Sequence, residues 1–286
     1  MSIKLAGSVI LYNPKEEDLI NLNSYLSKID QLYVYDNSAK KLVSKFLSEN
    51  DKIKYFWDGE NHGLSIRLNQ ACKEAISNGF DYLLTMDQDS SFIEKNLEKY
   101  INAVSNFQEK DKVAVYGLEY NINDITNATP NYIAVDHIIT SASILNLKLY
   151  NEIGGFDENL FIDGVDIDYC YAALSKGYKN IKFRDILFDH SLGEKTKRRS
   201  FFSLFLIKKN VALHSSLRVY YMRRNMLYIK NKYEAKLPSI IKKFVKNQNH
   251  QIRKNIKYSN EFFTVLKYYF KANKDYKNQK NGKIIE

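Results

Sequence analysis

Cysteine is nearly absent: Cys72 and Cys170 are the only two in 286 residues, and neither belongs to a CxxC pair. Two such thiols cannot build a disulfide framework, and their spacing argues against structural zinc, so a reducing compartment fits. No apolar run approaches the ~20 residues that a helix needs to cross a bilayer. The opening MSIKLAGSVILYNP has only a short apolar stretch, which reads as a strand rather than a signal peptide. The expected location is therefore cytoplasmic. No internal repeat is visible. Acid is missing from the last third: residues 1–190 hold 19 Lys and Arg against 28 Asp and Glu, whereas residues 191–286 hold 24 against 5. Such asymmetry implies different partners for the two parts, and a nucleic acid, an anionic membrane or a phosphorylated substrate would each suit the basic one. The basic part has neither zinc spacing nor an RNP-type motif, and the acidic part would repel phosphates, which counts against nucleic acid.

What is present is a chain that can bury a sizeable core. Its 44% hydrophobic and 27% charged residues are those of a globular protein. Strands are expected over residues 3–12 and in QLYVYDNS, KIKYFWDG, FDYLLTMDQDS and KVAVYGLEY. Helices are expected in between, beginning at KEEDL, GLSIRLNQ and FIEKNLEK. Alternating strands and helices predict an α/β fold with a mostly parallel sheet flanked by helices, whose ligands bind beyond the carboxyl ends of the strands. Asn13, Asp36, Asp58 and Asp87 fall at strand exits and should gather on one rim. After about residue 195 the pattern turns helical and basic, with a break at Lys236-Leu237-Pro238. The expected division is a domain over residues 1–235 and a basic helical extension over 236–286, with the last dozen residues frayed.

Two acidic clusters could carry chemistry. Asp87-Gln88-Asp89 places two carboxylates on one side of an extended chain, where they repel unless something positive lies between them. One reading is a turn in which Asp89 or Ser90 caps the next helix. The other is a Mg²⁺ or Mn²⁺ site, since these ions take one or two carboxylates and fill the remaining positions with water and phosphate. Asp163, Asp166 and Asp168 open the second cluster, at the start of a helix ending before Gly177. Acids in a first helical turn are favoured by the dipole, the role expected of Asp168.

Taken in order, several short motifs point further. They are Val9-Ile10-Leu11-Tyr12-Asn13, Val34-Tyr35-Asp36-Asn37-Ser38, Asn61-His62-Gly63 with Asn69, and Asp87-Gln88-Asp89-Ser90. Then come Gly154-Gly155-Phe156-Asp157-Glu158, Phe161 to Ile167, His190, and Tyr221-Met222-Arg223-Arg224-Asn225. Over roughly residues 3 to 230 this ordered set resembles the family 2 glycosyltransferases of the GT-A fold, most closely their rhamnosyltransferase-like branch. The resemblance implies a nucleotide-sugar donor, dTDP-rhamnose or a UDP-sugar, with its diphosphate bound through a metal. Asp36 would meet the nucleobase or ribose, with Tyr12, Asn13, Asn61, Gly63 and Asn69 also on the donor. Asp87 would serve ribose and metal, and Asp89 and His190 the metal and diphosphate. Read without the family, Asp36 is an Asx turn, Gly63 a helix start and His190 a structural histidine. The family often carries Glu-Asp where this chain has Asp163-Gly164, so the base falls to Asp163 or to Asp166.

The basic part has three readings of its own. GEKTKRRSFFSLFLIKKN is either an amphipathic helix, an interfacial helix on an anionic leaflet, or a source of cations, Arg198 and Arg199, for the donor diphosphate. Arg223 and Arg224 are expected near the donor through the resemblance. Lys242, Lys243, Lys246, Arg253, Lys254 and Lys257 are expected on a helical extension. Because acceptors in the resembled class are commonly lipid-linked glycans, peripheral contact with the inner face of the cell membrane is expected.

Overall fold

The apolar runs that end in Asp are strands of one sheet. The computed structural model describes residues 3–93, 95–120, 129–190, 196–199 and 208–284. In its first half, β1 (Leu5–Leu11), α1 (Glu16–Leu26), β2 (Gln31–Asp36), α2 (Lys45–Ser48), β3 (Ile53–Trp57), α3 (Gly63–Ser77) and β4 (Tyr82–Asp87) follow one another. β1 pairs in parallel with both β2 and β4, and β2 with β3. Leu5, Ala6, Val9 and Leu11 of β1 and Leu83, Leu84 and Met86 of β4 are all buried, the near-continuous burial of a parallel sheet covered on both faces.

Next come β5 (Ser90–Ser91), α4 (Asn96–Ser105), β6 (Val113–Glu119), β7 (Tyr132–Ala134), β8 (Ser143–Asn146), α5 (Tyr150–Ile153), α6 (Val165–Ser175), β9 (Lys179–Leu187) and β10 (Asp189–His190). The described strands of the main sheet run in the order β3-β2-β1-β4-β8-β6-β9-β7. β8 lies antiparallel between β4 and β6, a placement that its four residues are too short to announce by periodicity. The buried face of α6 is wide. Val165, Ile167, Asp168, Tyr169, Cys170, Tyr171 and Ala173 are buried, so the helix is covered nearly all round. Asp168 is in the first turn, as expected, and is buried with them.

By its packing the chain forms two units, residues 1–158 with 165–191, and residues 159–164 with 192–286. The second contains β11 (Thr196–Arg199), β12 (Lys208–Val211), α7 (Ser216–Tyr233), α8 (Pro238–Tyr258) and α9 (Phe262–Lys277). The division expected at residue 235 therefore falls earlier, because α7 packs on α8 and α9: Val219 and Met222 share a core with Ile252 and Val265. The helix that one reading expected across residues 193–210 does not form at the described ends. β11 and β12 pair antiparallel, Arg198 opposite Lys209, and residues 193–195 and 200–207 lie outside those described. Ser215 caps α7 by accepting a bond from the Arg218 N–H, and Pro238 starts α8 where no intrahelical donor is needed.

The end of the described chain is held, not frayed. Arg224 is 1% exposed and lies over the rings of Tyr220 and Tyr221 at 5.3 and 5.2 Å. One terminal nitrogen of its guanidinium donates to the Gly282 carbonyl at 2.8 Å, and the Ile284 N–H donates to Tyr221 Oη at 2.9 Å. Removing residues 281–286 strands a buried cationic donor. We expect a loss of about 1–3 kcal/mol, read as a lower urea midpoint; an unchanged midpoint would show that the tail holds nothing.

Candidate active site

The strand register builds the rim. Ile10 lies opposite Asp87, Leu11 opposite Asp36, and Asp36 opposite Trp57. Parallel strands in this register bring Tyr12-Asn13, Asn37-Ser38, Asp58 and Gln88-Asp89 out on the same edge. Asp87 and Asp89 are joined there by His190, and one ligand atom from each of the three lies within 4.8 Å of the others. His190 arrives through the short β5–β10 pairing, which sets it opposite Ser90. Ser90 is fully buried, and its Oγ lies 2.7 Å from His190 Nδ1, fixing the ring. Asp89 Oδ1 lies 3.8 Å from the same nitrogen. Two carboxylates and an imidazole fit a divalent cation that keeps further positions for water and phosphate oxygens.

Gln88, between the two acids, holds the strand exits together. Its Oε1 accepts from the Tyr12 N–H at 2.8 Å, its Nε2 donates to Asp18 Oδ2 at 3.2 Å, and its carbonyl accepts from Asn21 Nδ2 at 3.0 Å. The Tyr12 ring is left exposed beside this clamp. Asn13 has a left-handed backbone, φ 47°, and its N–H donates to Ser38 Oγ at 2.7 Å. Asp36 is fully buried: Oδ1 accepts from the Ser38 N–H at 2.8 Å and Oδ2 from the Tyr55 hydroxyl at 2.7 Å. The Asx turn is thus present. Burial, then the Asp36 hydrogen bond, pushes the Tyr55 phenol above its ordinary range. Asn61 Oδ1 accepts from the Gly63 N–H at 2.9 Å, and Gly63 takes φ 77°, which favours glycine there.

Arg67 is the organising residue that sequence reasoning passed over. It is 2% exposed, and its Nε donates to Asn37 Oδ1 at 2.9 Å. One terminal nitrogen reaches Asp58 Oδ1 at 2.7 Å and the Glu60 carbonyl at 3.3 Å. Asn37 in turn accepts from the His62 N–H and donates to the Gly63 carbonyl. One guanidinium therefore links the loops after β2 and β3 to the start of α3. The Arg67 hydrogen bond holds the Asp58 carboxyl at about 2, below the usual carboxylate range. The available signal was an arginine on the apolar side of a helix, which has to be paired.

Other expected site residues are engaged elsewhere. Asn69 was expected along the nucleotide, but it uses its whole amide inside the protein. Its Oδ1 accepts from the Tyr150 hydroxyl at 2.7 Å and the Phe156 N–H at 2.8 Å, while Nδ2 donates to the Phe156 carbonyl and Glu158 Oε1, both at 2.9 Å. It pins the Gly154-Gly155-Phe156 turn. Gly155 is at φ 71°, and a Cβ there would meet Tyr150 Oη at 2.9 Å. Arg223 and Arg224, expected near the donor, also have partners within the protein. Arg223 binds Asn249 and Asn273 and stacks on Tyr269, and Arg224 is buried as described. For Arg198 and Arg199 the description covers only the backbone of β11.

The two candidate bases differ in their surroundings. Asp163 has φ 62°, accepts from Arg218 Nε at 2.9 Å, and has a backbone carbonyl that accepts from Asn225 Nδ2 at 2.7 Å. Asp166 opens α6, where its Oδ1 accepts from the Ile167 N–H at 2.9 Å. Cys72 and Cys170 are buried, and burial pushes both thiols up, so neither is a nucleophile.

Residues 17–173 match the model of glycosyl transferase family 2. The chain is 25% identical over 266 residues to the dTDP-rhamnosyl transferase RfbF of Shigella flexneri, covering 86% of each sequence. Among solved structures it is similar to S. aureus TarS residues 1–349 in complex with UDP-GlcNAc, with TM-score 0.61 and 16% identity over 96% of this chain and 80% of that one. It is also similar to GalNAc-T7 with UDP, GalNAc and Mn²⁺, with TM-score 0.55 and 12% identity over 97% of this chain and 58% of that one. These likenesses establish a GT-A fold.

Asn69→Ala deletes four hydrogen bonds at once. At roughly 1 kcal/mol for each, less what water recovers, it should cost about 2–4 kcal/mol in urea unfolding. Donor affinity, measured by titration where both proteins are folded, should stay within about threefold, since such a shift is under 1 kcal/mol. Intact stability with lost donor binding would return Asn69 to the nucleotide.

Proposed function

The chain belongs to the family 2 glycosyltransferases, and from that premise we propose a metal-dependent inverting enzyme that transfers rhamnose from dTDP-rhamnose to a glycan acceptor in cell-surface polysaccharide synthesis. The convergence of Asp87, Asp89 and His190 at the exit of β4 carries the proposal, because two acids and an imidazole suit a cation shared with a diphosphate. Likeness to a dTDP-rhamnosyl transferase supports the donor. Likeness to a structure holding UDP-GlcNAc supports a second reading, a UDP-hexose on the same scaffold.

Each residue then has a task. Tyr12, Asn13, Asp36, Asn61 and Gly63 shape the nucleotide end, with Asp36 holding its loop through Ser38 and Tyr55. Asp87, Asp89 and His190 would hold Mg²⁺ or Mn²⁺, which when bound would offset the charge of the departing diphosphate. The acceptor hydroxyl attacks the anomeric carbon from the face opposite the diphosphate. The carbon–oxygen bond to the diphosphate breaks with its electrons on that oxygen, and the hydroxyl proton passes to Asp163 or Asp166. Among the described residues no helix is long and apolar enough to cross a membrane. With a lipid-linked acceptor, the basic helices would place the enzyme peripherally on the inner face of the cell membrane.

Two measurements test this reading. A panel of dTDP-, UDP- and GDP-sugars should contain one donor that raises the thermal midpoint only with Mn²⁺ or Mg²⁺, an effect lost in Asp89→Ala and His190→Ala. Metal-independent stabilisation in both variants would refute the assigned site. Asp163→Asn or Asp166→Asn, one and not both, should lower turnover by at least about a hundredfold while donor binding persists. Full turnover in both would make the second cluster a capping feature.

A further inference from the structure

The outward face of α9 is unlike any other described helix face. Phe263 is 80% exposed and Phe270 65%, more than any other aromatic among the described residues. Seven residues apart, they lie within about 20° of each other around the axis and about 10 Å apart along it. Lys267, Lys274 and Lys277 share this exposed arc. The inward face carries the buried Val265 and Ala272. The helix has one acid, Asp275, and it is also inside, where it accepts a bond from the Tyr220 hydroxyl at 2.9 Å and lies 3.5 Å from Lys271 Nζ. The outward face is thus aromatic and basic with no acid. Packed on the same α7 is α8, whose 21 residues hold no acid and which exposes Lys242, Lys243, Lys246, Arg253 and Lys257.

We propose that this face of α9 lies in the headgroup layer of an anionic bilayer, with Phe263 and Phe270 inserted below the phosphates and Lys267, Lys274 and Lys277 meeting them. The inference rests on the peripheral membrane reading above and names the surface that performs it. Lysine stems run along apolar surface while their ammonium groups reach for charge, so a stripe alternating Phe and Lys matches a boundary that is apolar beneath and anionic above. A single-stranded nucleic acid would need a groove that tracks its backbone, and this surface is the convex side of a helix.

The test is sedimentation of the full-length protein with vesicles of phosphatidylcholine alone or with 30% phosphatidylglycerol, for wild type and the double variant Phe263→Ser/Phe270→Ser. Both side chains are exposed, so the variant should keep the wild-type thermal midpoint and the metal-dependent donor shift. Wild type should bind only the anionic vesicles, and the variant should bind them on the order of 10- to 100-fold more weakly. Equal binding by the two proteins overturns the assignment of α9 and leaves the membrane reading intact. No binding by wild type, with the donor shift present, overturns both the assignment and the membrane reading. Wild-type dimers that become monomers in the variant show that a second copy covers the face. Loss in the variant of single-stranded RNA retention points instead to nucleic acid. Either of these last outcomes overturns the proposal.

Discussion

Negative charge crowded at the exit of a buried strand is the constraint around which the α/β unit is arranged. Asp87 and Asp89 share a space of under 5 Å with His190. At that separation, two carboxylates near a protein surface repel by up to about 3 kcal/mol before solvent screening. The loops beside them are held by neutral amides. Gln88 ties β1 to β4, Asn37 bridges to Gly63 and His62, and Asn69 secures the Gly154-Gly155-Phe156 turn. The main cation of this rim, Arg67, is matched by Asp58 and lies buried on the α3 side. Geometry is thereby fixed by groups that leave the acidic character of the site intact.

The helical unit handles the opposite charge. It places Arg224 over two tyrosine rings with the Gly282 carbonyl as acceptor, and it keeps Asp275 inside while lysines line the surfaces of α8 and α9. Burying one arginine demands several partners from distant positions, which explains why a Lys- and Asn-rich tail is ordered as far as Ile284. The asymmetry of charge along the chain thus becomes a division of labour between units. One gathers acids at its strand exits, and the other keeps cations on its surface.

Much of the fold was legible in residue pattern. Parallel strands covered on both faces produce runs such as Leu83-Leu84-Thr85-Met86, and each was identifiable because a polar residue or turn closes it. The strand exits followed, and with them Asp36, Asp58 and Asp87 on one rim. β8 escaped because four residues carry no period, and the β11–β12 ribbon escaped because Arg- and Lys-flanked apolar residues suit a helix equally well. For the site, the meeting of His190 with Asp87 and Asp89 was legible only through the resemblance, since His190 lies a hundred residues from Ser90 and nothing local marks it.

The sequence by itself determined the chemistry available: two acidic clusters at chain reversals, an arginine among apolar neighbours, and a tail without acid. Those depend on residue type and spacing, which local geometry reads directly. Tertiary structure decided which polar groups are taken up by partners inside the protein. Asn69, Arg223 and Arg224 resemble binding residues, yet each finds partners inside: Asn69 uses its whole amide, and the two guanidiniums take acceptors that packing brings close. Which acceptors those are depends on contacts among residues far apart in the chain, and spacing alone does not encode them.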